Sequence, residues 1–235
     1  MENNNSGEHK TNDDRLTDIF SSVGRQYRLT DVTAQFVAFR DLKIRWQRSY
    51  KMADFMVSDY LDDAPDGILW DFADTIIAKI FAENDSDYSN SVIEWISSDG
   101  FRARKQPIYL RRSKNLTRSP VGREKNLLDS YGRLVDDGLV EEDPGLCISW
   151  MKSATARKIG HCSVVMDVVA LSGALDDAHV PDFVLDYCLY HELCHVKIGF
   201  DPSGRGHDQK FAGLADMYPR RSEAVEWLRR VDMFV

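Results

Sequence analysis

The stretch PDFVLDYCLYHELCHVKI, residues 181–198, decides how the rest of the chain is read. Pro181 suits the first turn of a helix, where its missing N–H costs nothing. Phe183, Val184, Leu185, Tyr187, Cys188, Leu189, Tyr190, Leu193, Cys194 and Ile198 put apolar side chains on nearly every side, the mark of a buried helix. Into that helix are set His191, Glu192 and His195. Histidines at i and i+4 share one face a turn apart, so both imidazoles can reach one metal ion. Glu192 stands beside them, where a carboxylate can take a proton from metal-bound water. Zinc suits imidazole nitrogen. A catalytic zinc keeps three protein ligands plus water, whose pKa it lowers to about 7. The bare pattern H-E-x-x-H also arises by chance, as two core histidines and a glutamate paired with an arginine. Burying a carboxylate in an apolar helix is costly unless it is paired or near a metal, and that cost favours the metal.

A third ligand is then required. His207 is the best candidate, at the end of a Pro/Gly-rich loop containing Pro202, Gly204 and Gly206, and at the start of the next helix. Glu223 or Glu226, on a last helix, could serve instead. Cys188, three residues before His191, would make a Cys-His-His structural site, but reads better as a small core residue. The third-ligand spacing of astacin-like and matrix-type proteases falls on Asp201, which disfavours that class. His161 and His179 read as non-ligands, with His161 expected near the cleft.

Working outward, residues 146–151 and 162–171 read as two strands joined by a polar loop, and residues 126–135 as a short helix. Helices are expected over 208–217 and 220–231. Toward the N-terminus, residues 32–58 read as paired strands, and helices are expected from near Asp63 and from about Asp87. Residues 101–126 carry Arg102, Arg104, Lys105, Arg111, Arg112, Lys114, Arg118, Arg123 and Lys125 against Glu124 alone. With Pro107 and Pro120, this segment reads as strand or loop. Residues 1–28 begin MENNNSGEHKTNDD, polar with no apolar core, and read as a disordered leader and not as a signal or anchor. The expected division is therefore this leader, an α/β region over 29–145, and a catalytic core over 146–235.

The chain has 235 residues, 43% of them hydrophobic and 29% charged, enough for one ordinary core domain with an appended part. Its apolar runs are too short to span a bilayer. Four cysteines without a C-x-x-C pair read as buried thiols, and with the polar N-terminus they predict a cytoplasmic protein. A net charge of −8 argues against general nucleic-acid binding.

Over residues 148–228 the sequence resembles the SprT-like zinc metallopeptidases and their YgjP-like relatives. The resemblance rests on Ile148-Ser149-Trp150, Ile159-Gly160-His161-Cys162-Ser163, Leu175-Asp176, Val184-Leu185-Asp186-Tyr187, His191 to His195, and Gly206-His207 with Phe211, as in a G-H-x-x-x-F segment. It implies an α+β fold: a zincin core of minigluzincin type, with a short antiparallel sheet against the metal helix. It also implies one zinc on His191, His195 and His207, with Glu192 as general base. The sequence departs from the family in two respects. No cysteine zinc ribbon follows the core here, and the third histidine lies farther from the second than in YgjP-like proteins, which favours the SprT-like branch.

The expected function is zinc-dependent hydrolysis of peptide bonds in a protein or peptide substrate. SprT-like relatives include proteases acting on proteins crosslinked to DNA, so Arg111, Arg112 and Lys114 are candidate DNA contacts, against the plainer reading of a solvated surface. Two alternatives stand beside peptidase activity. One is nucleotide pyrophosphohydrolysis of YgjP-like type, with the arginines holding a triphosphate. The other is a zinc-stabilised binding module without turnover.

Overall fold

The computed structural model describes residues 11–81, 87–201 and 207–233. Over these it is a mixed α+β protein with eight α-helices and two three-stranded sheets, each mixed in strand direction. No helix among the described residues is long and apolar enough to cross a membrane. The chain divides into two compact units, Met1–Trp95 and Ile96–Val235.

The first unit begins with α1 (Asn12–Gln26), inside the segment expected as a disordered leader. Residues 1–10 of that segment lie outside the described residues. Thr11 accepts from the Asp14 N–H while the Asp14 carboxylate accepts from the Thr11 N–H, a reciprocal cap that fixes the helix start. Leu16, Ile19, Phe20 and Val23 then form one buried stripe at helical spacing. The polar opening residues hid this stripe. It packs on β1 (Asp31–Val37) and α2 (Asp66–Phe81), with Phe20 lying 4.7 Å from Phe55. Phe55 belongs to β3 (Met52–Ser58), the central strand, parallel to β1 and antiparallel to β2 (Ile44–Ser49). The short helix α3 (Asn90–Ile96) ends at the division.

In the second unit, the first half of the segment read as strand or loop over 101–126 forms α4 (Asp99–Arg112), and residues 113–126 are loop with isolated bridges at Leu116 and Val121. Ser98 caps it, and Phe101, Lys105 and Tyr109, spaced at i, i+4 and i+8, make its buried face. Pro107 sits inside this helix, which is why the segment reads as broken. After it come α5 (Leu127–Asp136) and a sheet in the order β4 (Cys147–Met151), β6 (Val168–Ser172), β5 (Gly160–Ser163). The sheet is not wholly antiparallel: β4 runs parallel to β6 and only β5 opposes it. The run expected as one strand over 162–171 is broken at Asp167, whose left-handed backbone (φ 45°) turns β5 into β6.

The helix read first, α6 (Asp182–Ile198), follows an extended Pro181 that makes no capping hydrogen bond, and stops at Gly199, whose φ of 84° suits glycine. Every residue from Val184 to Cys194 is buried. It packs on β5 and β6 and on α5, α7 (Gln209–Ala215) and α8 (Arg221–Arg230). Asp186 fastens it to α5: its carboxylate accepts from the Ser130 hydroxyl, from Arg133 Nε at 2.9 Å and from Arg133 Nη2 at 2.7 Å. A buried acid in an apolar helix needs such partners. The apolar core of this unit gathers Leu127 and Leu134 with residues of the sheet and of α6, so α5 belongs with the histidine helix and not with a separate N-terminal region.

Candidate metal centre

His191 and His195 stand one turn apart on α6, and His207 comes to them from the residue before the cap of α7. Asp208 caps that helix by accepting from the Phe211 N–H at 2.9 Å. The ligating nitrogens of the three histidines all lie within 4.8 Å of one another. His207 Nε2 is 3.3 Å from His191 Nε2. Two imidazole nitrogens sharing a tetrahedral zinc at 2.0–2.1 Å would stand about 3.4 Å apart. The three rings are buried, half-buried and exposed in turn, which leaves an open side to the cluster. They form the one such group of three or more potential ligands among the described residues. The loop residues 202–206 that lead to His207 lie outside the described residues.

Phe211 forms the floor. Its ring centroid lies 4.8 Å from that of His191, 4.4 Å from His195 and 4.5 Å from His207. The sequence marks Phe211 only as part of a recurring segment; contact with all three imidazoles gives it a physical task. His191 Nδ1 is buried without a hydrogen-bond partner among the described residues. Burial lowers His191 to about 3, aided by His195 and His207 beside it, and burial also lowers His195. His191 and His195 are thereby favoured as neutral imidazoles, the form in which a metal binds them.

Glu192 is buried against the sheet edge. Burial pushes its carboxyl up to about 7, while Lys158 pulls the other way. Its side chain occupies the space over Gly160 on β5, where any Cβ would collide with the carboxylate. Glycine at 160 is therefore what lets the acid reach the edge strand. Sequence reasoning missed this role, because a glycine at the head of a short strand carries no chemical signal of its own.

Strand alternation sends His161 the other way from Gly160 and Cys162. Its Nε2 lies 2.8 Å from the Tyr109 hydroxyl on α4, so it is not in the cleft. Helix α4 thus meets β5 at His161 and packs beside the turn Val164–Met166 that follows it. Other candidates for the third ligand are engaged elsewhere. Glu223 pairs with Arg220 at 2.7 Å, and Glu226 pairs with Arg230. Cys188 is fully buried, its thiol pushed up by desolvation, and lies outside the cluster. Asp201 and His179 are outside it too.

Arg111 and Arg112 end α4 and Lys114 follows its cap at Ser113; none of the three lines the cavity beside His191 and His207. Much of the basic segment is used internally. Arg102 pairs with Asp99, Asp143 and Asp167, Arg118 donates to the Leu110 and Arg111 carbonyls, and Lys125 pairs with Asp182 at 2.7 Å. Comparison of the chain with family models, curated proteins and solved structures gives no match.

Proposed function

We propose that this chain is a zinc-dependent metallopeptidase with a zincin-like core formed by the second unit. One arrangement supports this reading: three imidazoles converge within metal-ligand distance, and the carboxylate of the residue after the first of them lies against the edge strand. Three imidazole nitrogen donors and an open side fit zinc, and they would leave a position for water. When bound, zinc supplies Lewis acidity, polarising a carbonyl and acidifying water.

The chain's own residues supply the rest. His191, His195 and His207 hold the ion, and Phe211 fixes their rings. Glu192 takes a proton from the attacking water and delivers it to the leaving amine. A carboxyl near 7 can do both at neutral pH, because neither protonation state is far from equilibrium. Nucleotide hydrolysis is less well supported. Arg111, Arg112 and Lys114, the side chains expected to hold a triphosphate, do not line the cavity beside the histidines.

The test is metal analysis together with turnover. Purified protein should carry about one zinc per chain, and His207→Ala should lose or weaken it. An unfolded protein substrate should be cleaved by the native protein. Chelator or Glu192→Gln should abolish cleavage, with zinc retained in the latter. Full zinc retention by His207→Ala would overturn the ligand set. Unchanged turnover in Glu192→Gln would overturn the mechanism.

A further inference from the structure

Beside the histidines, on the side of α7 and α8, lies a cavity of about 330 Å³. His191 and His207 form part of its wall. Opposite stand Arg221 and Arg229, two turns apart on α8 and so on one face of that helix. Arg221 is anchored, pairing with Asp216 at 2.8 Å and bonding to the Tyr187 hydroxyl. Between the cations the wall is apolar, supplied by Val225, Leu228 and Met233. Among the described residues no carboxylate side chain lines this cavity, although the chain carries 38 acidic residues against 30 basic ones. The volume is that of a pocket for a small group, and fixed cations around an apolar wall specify both charge and shape.

Resting on the peptidase reading, we propose that this cavity is a substrate subsite for a carboxylate. The carboxylate belongs to the substrate residue next to the bond placed at the histidines, and Arg229 and Arg221 receive it. Val225, Leu228 and Met233 take the aliphatic part of that residue. The carboxylate has two possible sources, a free C-terminus or an Asp or Glu side chain, and both present the same planar anion to a guanidinium.

Binding measured without turnover tests the proposal. Zinc-loaded Glu192→Gln protein is titrated with three labelled pentapeptides of one otherwise neutral sequence. The first has a free C-terminal carboxylate, the second a C-terminal amide, and the third an amide with glutamate as the last residue. One or both carboxylate peptides should bind roughly tenfold more tightly than the neutral amide, and whichever gains identifies the source. Adding Arg229→Gln should remove the gain and Arg229→Lys should restore part of it. Arg230→Gln, which alters a pair with Glu226 elsewhere on α8, should leave it unchanged. Equal binding of all three peptides, binding of none, or a gain that survives both Arg229→Gln and Arg221→Gln would overturn the proposal. Cleavage of an unfolded protein by the native chain is scored separately. Cleavage without a carboxylate preference removes the subsite and leaves the peptidase, whereas Arg229-dependent binding without cleavage does the reverse.

Discussion

Glu192 and His191 are sequence neighbours that titrate in opposite senses. Burial raises the Glu192 carboxyl from 4.5 to about 7, so the folded metal-free chain holds that proton where the unfolded chain has released it. Its contribution to stability is present at low pH and is lost as pH rises from about 4.5 to about 7. His191 is lowered from 6.5 to about 3, so its contribution is present above 6.5 and is lost as pH falls toward 3. Between these limits the two slopes oppose one another. Glu192→Gln removes the first slope only. EDTA-treated variant should therefore lose stability on acidification more steeply than EDTA-treated native protein, by up to about 1.4 kcal/mol per pH unit. Urea midpoints at two pH values within that window check this, and identical pH dependence in both proteins would refute it. Gly160 gives a second prediction at the same scale. Gly160→Ala should displace the Glu192 carboxylate and lower kcat about 100-fold, the cost of a misplaced catalytic group. Zinc content should stay near one per chain, and loss of zinc with loss of rate would mean that the whole helix had moved.

Among the elements, α6 is held by close packing on every side and, in addition, by one polar clamp. The Asp186 carboxylate, tied to Ser130 and Arg133 on α5, fixes its rotation and so the direction of the histidines. Asp186→Ala leaves the buried Ser130 hydroxyl without its partner and should cost about 1–2 kcal/mol in chemical unfolding. Zinc affinity should fall as well, and a variant as stable as the native chain would refute the clamp. Phe211→Ala opens a cavity under all three imidazoles and should cost about 3 kcal/mol, with weaker zinc retention against a chelator. These elements were unequally legible in the sequence. The helix over residues 181–198 could be read because its apolar residues leave no polar face, and its two histidines and glutamate stand out against them. Helix α4 was hidden by Pro107, although Phe101, Lys105 and Tyr109 already carried its spacing. The break between β5 and β6 rests on one left-handed aspartate inside an apolar run, which periodicity does not register. Glu192 was legible as an acid, but its partner Gly160 was not, since only the packed sheet brings that strand to the helix.

At the scale of the molecule, charge and core separate. The net charge of −8 is spread over a chain whose basic segment is largely spent on internal pairs: Arg102, Arg118, Arg123 and Lys125 each meet an acidic or carbonyl oxygen. Such a segment is a structural seam of the second unit, joining α4 and the strand-leading loops to β4, β6 and α6. Every residue of the core around the histidine helix falls between Leu127 and Leu228. The clamp, the floor and all three histidines lie inside Ile96–Val235, as does Gly160. A unit of this length is in the ordinary range for an independently folding domain. Residues 96–235 expressed alone should therefore unfold cooperatively and bind about one zinc per chain, with His207→Ala lowering that value as in the whole protein. If the isolated unit is folded but binds no metal, the first unit must contribute to the centre. If it is unfolded, the core of α5, the sheet and α6 is not sufficient by itself to hold the unit together.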